Sequence, residues 1–295
     1  MNKYINGNST VEIFEDGTRV IQFEDQLQLD YPLNIDIRVS SRCTFGYNPK
    51  TGKAFCDFCH ESARTDGDEC DYEKLKEKLI DLPRGIELAI GANNITLNLV
   101  EFISWCKLNG YIVNLTVNQG HVRRDSSHLY TLIDQQLIKG LGVSYRSSLK
   151  WDIPDFILDY KNTVFHVIAG IDSIDDVLSL KDKGVKKVLV LGEKNFGFNE
   201  GKVDLTTRNH REWYWWVGKM FDTFDVTSFD NLALEQLNMK RFFSDENWDI
   251  FNQGEHSFYV NAVEQYFAPS SRSNLKTDWN MYSLKEYFHN LELTK

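Results

Sequence analysis

The sequence predicts an α/β protein: a partial (β/α)6 TIM-like barrel between a small N-terminal β hairpin and an aromatic-rich C-terminal cap. Three observations predict it. From Tyr72 onward, apolar strand-like runs alternate with helical runs, the pattern of a parallel sheet joined by right-handed crossovers. Six strand–helix units fit before residue 224, fewer than a closed barrel needs, and a doubly wound sheet is the alternative. Cys43, Cys56 and Cys59, three of five cysteines, lie in the loop that leaves the first strand. That is the end at which α/β barrels place chemistry.

Residues 1–32 are read as the hairpin. Val11–Phe14 and Val20–Phe23 flank Glu15-Asp16-Gly17-Thr18, and Asp-Gly is a strong short-turn signal. Residues 33–223 form the barrel unit. Its first strand runs over 33–40, where β-branched residues alternate with polar ones. In the loop that follows, Asn48-Pro49-Lys50-Thr51-Gly52 is turn chemistry. It marks an excursion whose base sets Cys43 beside Cys56. Asp71 can cap a helix over 72–81 that stops before Pro83. Strands are predicted at 86–90, 112–117, 141–145, 164–169 and 188–191. Helices are predicted at 97–109, 125–138, 153–160, 173–183 and near 209–220, with Gly110 and Gly184 as stops. Residues 224–295 form the cap, with Phe242, Phe243, Trp248, Phe251 and Phe258. An added strand over 257–260 and a short helix over 263–267 are expected there.

With 295 residues and 42% hydrophobic content the chain can bury a sizeable core. A net charge of −10 disfavours an electrostatic nucleic-acid binder. The N-terminus has no apolar signal region, and no run approaches the roughly 18 apolar residues of a membrane span. A soluble, cytoplasmic protein is the expectation, and in that compartment cysteines favour metal ligation over disulfides.

Twelve residues separate Cys43 from Cys56 and two separate Cys56 from Cys59. Thiolates are soft ligands, suited to zinc or iron–sulfur clusters. Four readings stand side by side. Zinc wants four ligands, and His60 or Cys70 can supply the fourth. Cys56-x-x-Cys59-His60 has the haem-attachment spacing, which requires export. Plain buried thiols are the simplest reading. A cubane cluster held by three cysteines leaves one iron open to a small molecule.

A three-cysteine loop after strand one of a six-unit α/β chain resembles the radical S-adenosylmethionine (radical SAM) enzymes. Their usual spacing is Cys-x3-Cys-x2-Cys, and here the first gap is enlarged. The resemblance implies that Cys43, Cys56 and Cys59 hold a [4Fe–4S] cluster. The open iron would bind the amino and carboxylate groups of S-adenosylmethionine. Reductive cleavage of that cofactor would give a 5′-deoxyadenosyl radical, which abstracts hydrogen from substrate. It further places Phe58 near the adenine. Gly91 and Asn93 stand where the family carries a Gly-Gly-Glu motif for the amino group, with Asn93 in place of the acid. Asn118 belongs to an Asn-Gly-type turn after strand three. Ser144 and Arg146 end strand four, Arg146 being suited to the cofactor carboxylate, and Gly170 lies in the region flanking the adenine. Strand six ends Leu191-Gly192-Glu193-Lys194. The implied partners are a small polar, nucleotide-like substrate, contacted by Asp230, Asn231 and Tyr259, and a flavodoxin- or ferredoxin-like electron donor. No membrane and no nucleic acid are implied. The reading of a different class is a zinc-binding α/β protein with a structural or binding role. Dinucleotide, phosphate-loop and nucleophile-elbow motifs are absent.

Overall fold

The dominant element is a ten-stranded sheet with the order β11-β10-β9-β8-β7-β6-β4-β12-β13-β14. The computed structural model describes residues 2–15, 18–149, 152–244, 248 and 256–293. The Asp16-Gly17 turn and Phe251 lie outside the described residues. The strands are β4 (Asn34–Arg38), β6 (Glu87–Ala92), β7 (Ile112–Asn118), β8 (Gly140–Ser144), β9 (Thr163–Ile168), β10 (Lys187–Leu191), β11 (Val226–Phe229), β12 (Ser257–Asn261), β13 (Tyr266–Ala268) and β14 (Thr277–Asp278). From β11 through β12 all neighbours are parallel, and only the β12–β13 and β13–β14 pairings are antiparallel. The protein is therefore a mixed α/β fold on a large, mostly parallel sheet. Among the described residues the sheet has two edges and is not closed.

Strand period explains its two faces. Ile35, Ile37, Leu88, Ile90, Leu115, Val117, Val143, Phe165, Val167, Val188 and Val190 are all buried. They form the side that packs against the crossover helices. The intervening positions point the other way and include Asp36, Arg38, Gly91, Thr116 and His166. Gly142 makes that face passable, since a Cβ there would lie 2.5 Å from the His166 ring and 2.8 Å from Thr116 Oγ1.

Before the sheet, β1 (Asn2–Asn6), β2 (Ser9–Ile13) and β3 (Arg19–Phe23) make a three-stranded antiparallel sheet. The expected hairpin is its second and third strands. Helix α1 (Tyr72–Leu79) is capped as its sequence predicts, with Asp71 accepting from the amides of Glu73 and Lys74. Helix α2 (Leu97–Leu108) is capped by Thr96. The helix expected over 125–138 is α4 (Ser126–Asp134), and a further short helix, α3 (Gln119–Arg124), precedes it. Short helices α5 (Asp155–Asp159), α6 (Ile174–Leu178), α7 (Arg208–Trp216) and α8 (Lys219–Thr223) complete the crossovers.

Four strands beyond residue 224, β11 to β14, belong to the sheet. β11 follows the sixth unit as a further parallel strand, with α9 (Asn231–Gln236) after it. β12 returns to the far side of β4 and pairs with all of it, Ser257 to Asn34 through Asn261 to Arg38. The strand expected at 257–260 is present. The helix expected over 263–267 is a tight turn between β12 and β13. Asn261 Oδ1 accepts from the Glu264 amide at 3.0 Å, and Gln265 takes a left-handed φ of 58°. This local hydrogen bonding outcompetes a helix. The chain ends in α10 (Leu284–Leu293), which buries Phe288.

Candidate functional site: the cysteine loop and the polar face of the sheet

Leaving β4, the chain enters β5 (Arg42–Tyr47), which carries Cys43. The Asn48–Gly52 turn forms as its residues predict. The Asn48 amide donates to the Lys53 carbonyl at 2.8 Å, and Gly52 closes the turn with φ 67°. Below it the Phe55 amide donates to the Phe45 carbonyl at 3.2 Å, which returns Cys56 to the level of Cys43. The Cys59 amide then donates to the Cys56 carbonyl at 3.2 Å, folding the Cys-x-x-Cys segment into one tight turn. Gly197 clamps this turn from outside. A Cβ there would lie 2.3 Å from the His60 carbonyl oxygen, and the next amide, Phe198, donates to the Cys59 carbonyl at 3.0 Å.

Cys43 is buried, and Cys56 and Cys59 are half-buried. Burial raises all three thiol pKa values, that of Cys56 to about 12. Cys56 also feels the charges of Cys59 and Cys43, and Cys43 feels that of Cys59. The three sulfurs are thus gathered in one place. Among the described residues no three His, Cys, Asp or Glu side chains are set to hold a single metal ion.

Other predicted residues surround this loop. The Arg146 guanidinium stacks over the Phe58 ring, 4.2 Å from its centre. It also leans toward the buried Asp172 carboxylate, Nε to Oδ1 3.5 Å, while its Nη1 is buried without a hydrogen-bond partner. Asn118 caps α3 through the Gly120 amide at 2.7 Å and turns its amide group toward Cys56 Sγ at 3.9 Å. Asn93 donates to the Ser40 carbonyl at 2.8 Å, so it holds the entrance of the cysteine loop. Gly91 lies on the polar face with open space where a Cβ would stand. Ser144 ends β8 in register with His166. Gly170 has φ 91°, with the His210 ring where a Cβ would go.

The substrate candidates separate. Tyr259 sits on β12 in register with Asp36 and feels the charges of Glu61 and Arg38. It shares the polar face with Asp36 and Arg38. Asp230 caps α9 through the Ala233 amide at 2.7 Å and accepts from the Gly192 amide at 2.9 Å, which accounts for its carboxylate locally. Asn231 is the half-buried first residue of α9.

Several site residues had no assigned role in the sequence reading. His121 on α3 is buried, with Nε2 3.8 Å from Cys43 Sγ, and burial pushes its pKa down to about 4. Arg38 on β4 pairs with Glu61 at 2.8 Å, and His60 Nε2 lies 3.2 Å from the other Glu61 oxygen. Burial opposes ionisation of Glu61, but the hydrogen bond to His60 and the charges of His60, Arg38 and Lys194 outweigh it and hold the carboxyl at about 2. Asp36 faces the open side of the sheet and is reached by solvent, yet the protein around it raises its pKa. Asn34, Asp36 and Arg38 alternate with Ile35 and Ile37 along β4 and give this inner strand one polar face. In a doubly covered parallel sheet that is the signal of a polar interior.

No family model matches this chain, and no curated protein matches it. A solved structure, native anSMEcpe with bound AdoMet (S-adenosylmethionine), is similar. It aligns with a TM-score of 0.52 and 12% sequence identity, covering 87% of this chain and 81% of that one. At that identity the likeness shows a common fold. No helix among the described residues is long and apolar enough to cross a membrane.

Proposed function

We propose that this chain is a radical SAM enzyme, with Cys43, Cys56 and Cys59 as ligands of a [4Fe–4S] cluster and a small polar substrate on the polar face of the sheet. The observation that carries the reading is the gathering of three thiols at the C-terminal end of the first parallel strand, each within reach of another's charge. The donor set suits iron and sulfide. A cubane spreads its ligands over separate iron corners, so the thiols need not converge on one point as they must for zinc. The likeness in fold to an AdoMet-bound structure over most of the chain supports the same reading.

When bound, the cluster supplies the electron that cleaves the cofactor sulfonium. This chain's residues bind, orient and exclude water. Arg146, with a free buried Nη1, receives the cofactor carboxylate, and Phe58 beneath it offers a face to the adenine. Gly91 leaves room beside the amino group, which Asn93 approaches without a charge. Tyr259 and Asp36 border the substrate. The sheet is read as a partial barrel whose lumen is this face, and the reductant as a flavodoxin- or ferredoxin-like protein.

The test is anaerobic reconstitution followed by iron, sulfide and zinc analysis. About four irons per chain with matching sulfide and a visible charge-transfer band is the expected result. One zinc per chain and no colour overturns the proposal.

A further inference from the structure

We propose that Lys194 and Arg272 form an oxyanion site at the mouth of the polar face, which takes the anionic group of the substrate, a small organic phosphate or carboxylate. This rests on the reading of that face as the substrate site and adds the chemistry that the substrate must carry.

Lys194 follows β10 at the C-terminal edge of the sheet. Its Nζ lies 3.3 Å from His60 Nε2 and 3.2 Å from Ser271 Oγ. Both are poor partners for a half-buried ammonium, and among the described residues no carboxylate forms an ion pair with it. Its acidic neighbours are Glu61, Asp230 and Asp36. Glu61 is committed to Arg38 and His60. Asp230 is committed to the Ala233 and Gly192 amides. Asp36 is the remaining acid, and burial works against its ionisation. None of the three makes a contact ion pair with Lys194 among the described residues, although the charges of Glu61 and Asp230 reach it.

A second cation lies nearby in the chain that supplies Ser271. Arg272 is exposed, makes no ion pair among the described residues, and is close enough for its charge to act on Lys194. It lies in the turn that also brings Ser271, where the Arg272 amide donates to Ser270 Oγ at 3.3 Å. The fold thus brings Lys194, after β10, to Ser271 in the loop after β13, with Arg272 the next residue along that loop. Two like charges approach each other at a cost, and a bound anion removes that cost. A guanidinium and an ammonium together suit a phosphate or carboxylate oxygen pair. His60, next to Cys59, ties this corner to the cysteine loop, so an anion held there sets the rest of a small molecule over the polar face. Asp36 and Tyr259 wait on that face for a donor group.

The test uses the full chain and two probes, inorganic phosphate alone and acetate alone. Binding is followed by phosphorus NMR line broadening, with acetate as competitor. Saturable phosphate binding is expected, at least about tenfold weaker in Lys194→Gln and in Arg272→Gln, unchanged in Lys3→Gln, and largely retained in Lys194→Arg. Displacement by acetate at similar concentration points to a carboxylate substrate, and resistance to it points to a phosphate. Absence of saturable binding, or Lys194→Gln and Arg272→Gln chains that keep their circular dichroism spectrum and bind as the parent does, overturns the proposal. The readout needs no cluster and no AdoMet. A chain that binds phosphate but takes up no iron therefore rejects only the enzyme reading, and one that cleaves AdoMet but ignores both anions rejects only this site.

Discussion

The Arg146 guanidinium carbon lies over Phe58, 4.2 Å from the ring centre, and the same side chain leans on the buried Asp172. The two partners leave Nη1 buried and unsatisfied, a state that costs about 1–3 kcal/mol until an acceptor arrives. Asp172 is itself anchored by the Ser147 amide and hydroxyl, at 2.8 and 2.9 Å. The guanidinium is therefore held in position before any ligand binds.

Arg146→Ala is expected to weaken AdoMet binding at least about tenfold, the loss of a charge-assisted hydrogen bond. Lysine does not restore it, because an ammonium lacks the planar fork and the stacking. Phe58→Leu has a smaller effect, on the scale of one cation–π contact, about 0.5–2 kcal/mol. Calorimetric titration of the reconstituted protein measures all three. Parent-like affinity in Arg146→Ala would remove Arg146 from the site.

Alanine at Cys43, Cys56 or Cys59 is expected to abolish cluster uptake, since three ligands leave none to spare. Cys106→Ala serves as the comparison. Cys106 is fully buried on α2, away from the loop, so its loss costs packing, about 1 kcal/mol, and no iron. Iron content and urea unfolding separate the two effects. Iron lost from Cys106→Ala and kept in Cys43→Ala reverses the ligand assignment.

Much of this site is legible in sequence because its signals are local. The cysteine spacing, the Asn48–Gly52 turn and the Asp71 cap each depend on residues a few positions apart. The helix expected over 125–138 is present as α4, but the short helix before it was missed, because it is only six residues long, is capped by Asn118 immediately after β7 and ends at Asp125 with φ −108°. β11 and the pairing of β12 with β4 were hidden for another reason. The first is a four-residue strand, and the second joins residues more than 200 positions apart by backbone hydrogen bonds. The capping role of Asp230 was not legible, because it depends on the Ala233 and Gly192 amides, which both donate to its Oδ1. Lys194 and Arg272 meet only through the fold.

Metal uptake should depend on pH in a direction set by burial. The ordinary thiol pKa is 9.0, and the folded chain raises all three, Cys56 to about 12. Neutral thiols are thus preferred in the metal-free fold. Their contribution to its stability is complete below about pH 9 and lost as pH rises toward about 12. Iron binding runs the other way, because it needs thiolates and releases protons. Reconstitution at about pH 9 is expected to load iron faster than at about pH 7, while the metal-free chain loses resistance to urea only as the pH rises from about 9 toward about 12. Uptake rates that ignore pH would show that the thiols are already ionised.

Gly91 and Gly170 provide a paired test of structure against binding. Both end a strand at the mouth of the sheet, and both are cofactor-site candidates. Their surroundings differ. At Gly170 the backbone is left-handed and a Cβ would stand 2.1 Å from the His210 ring. That ring is fixed by Thr207 Oγ1, 3.0 Å from Nδ1, and by Glu193, 3.2 Å from Nε2. Strain and overpacking add, so Gly170→Ala is expected to cost about 2 kcal/mol or more of stability. At Gly91 nothing lies within 4 Å of the added methyl, and alanine suits a strand slightly better than glycine, by about 0.5 kcal/mol. Gly91→Ala should therefore unfold at the same urea concentration as the parent or a slightly higher one. The methyl projects onto the polar face beside Arg38 and Thr116, with which Gly91 is in register. If AdoMet occupies that space, its affinity drops several-fold with no loss of stability. Unchanged affinity in Gly91→Ala would place the cofactor elsewhere on the sheet, whatever the outcome at Gly170.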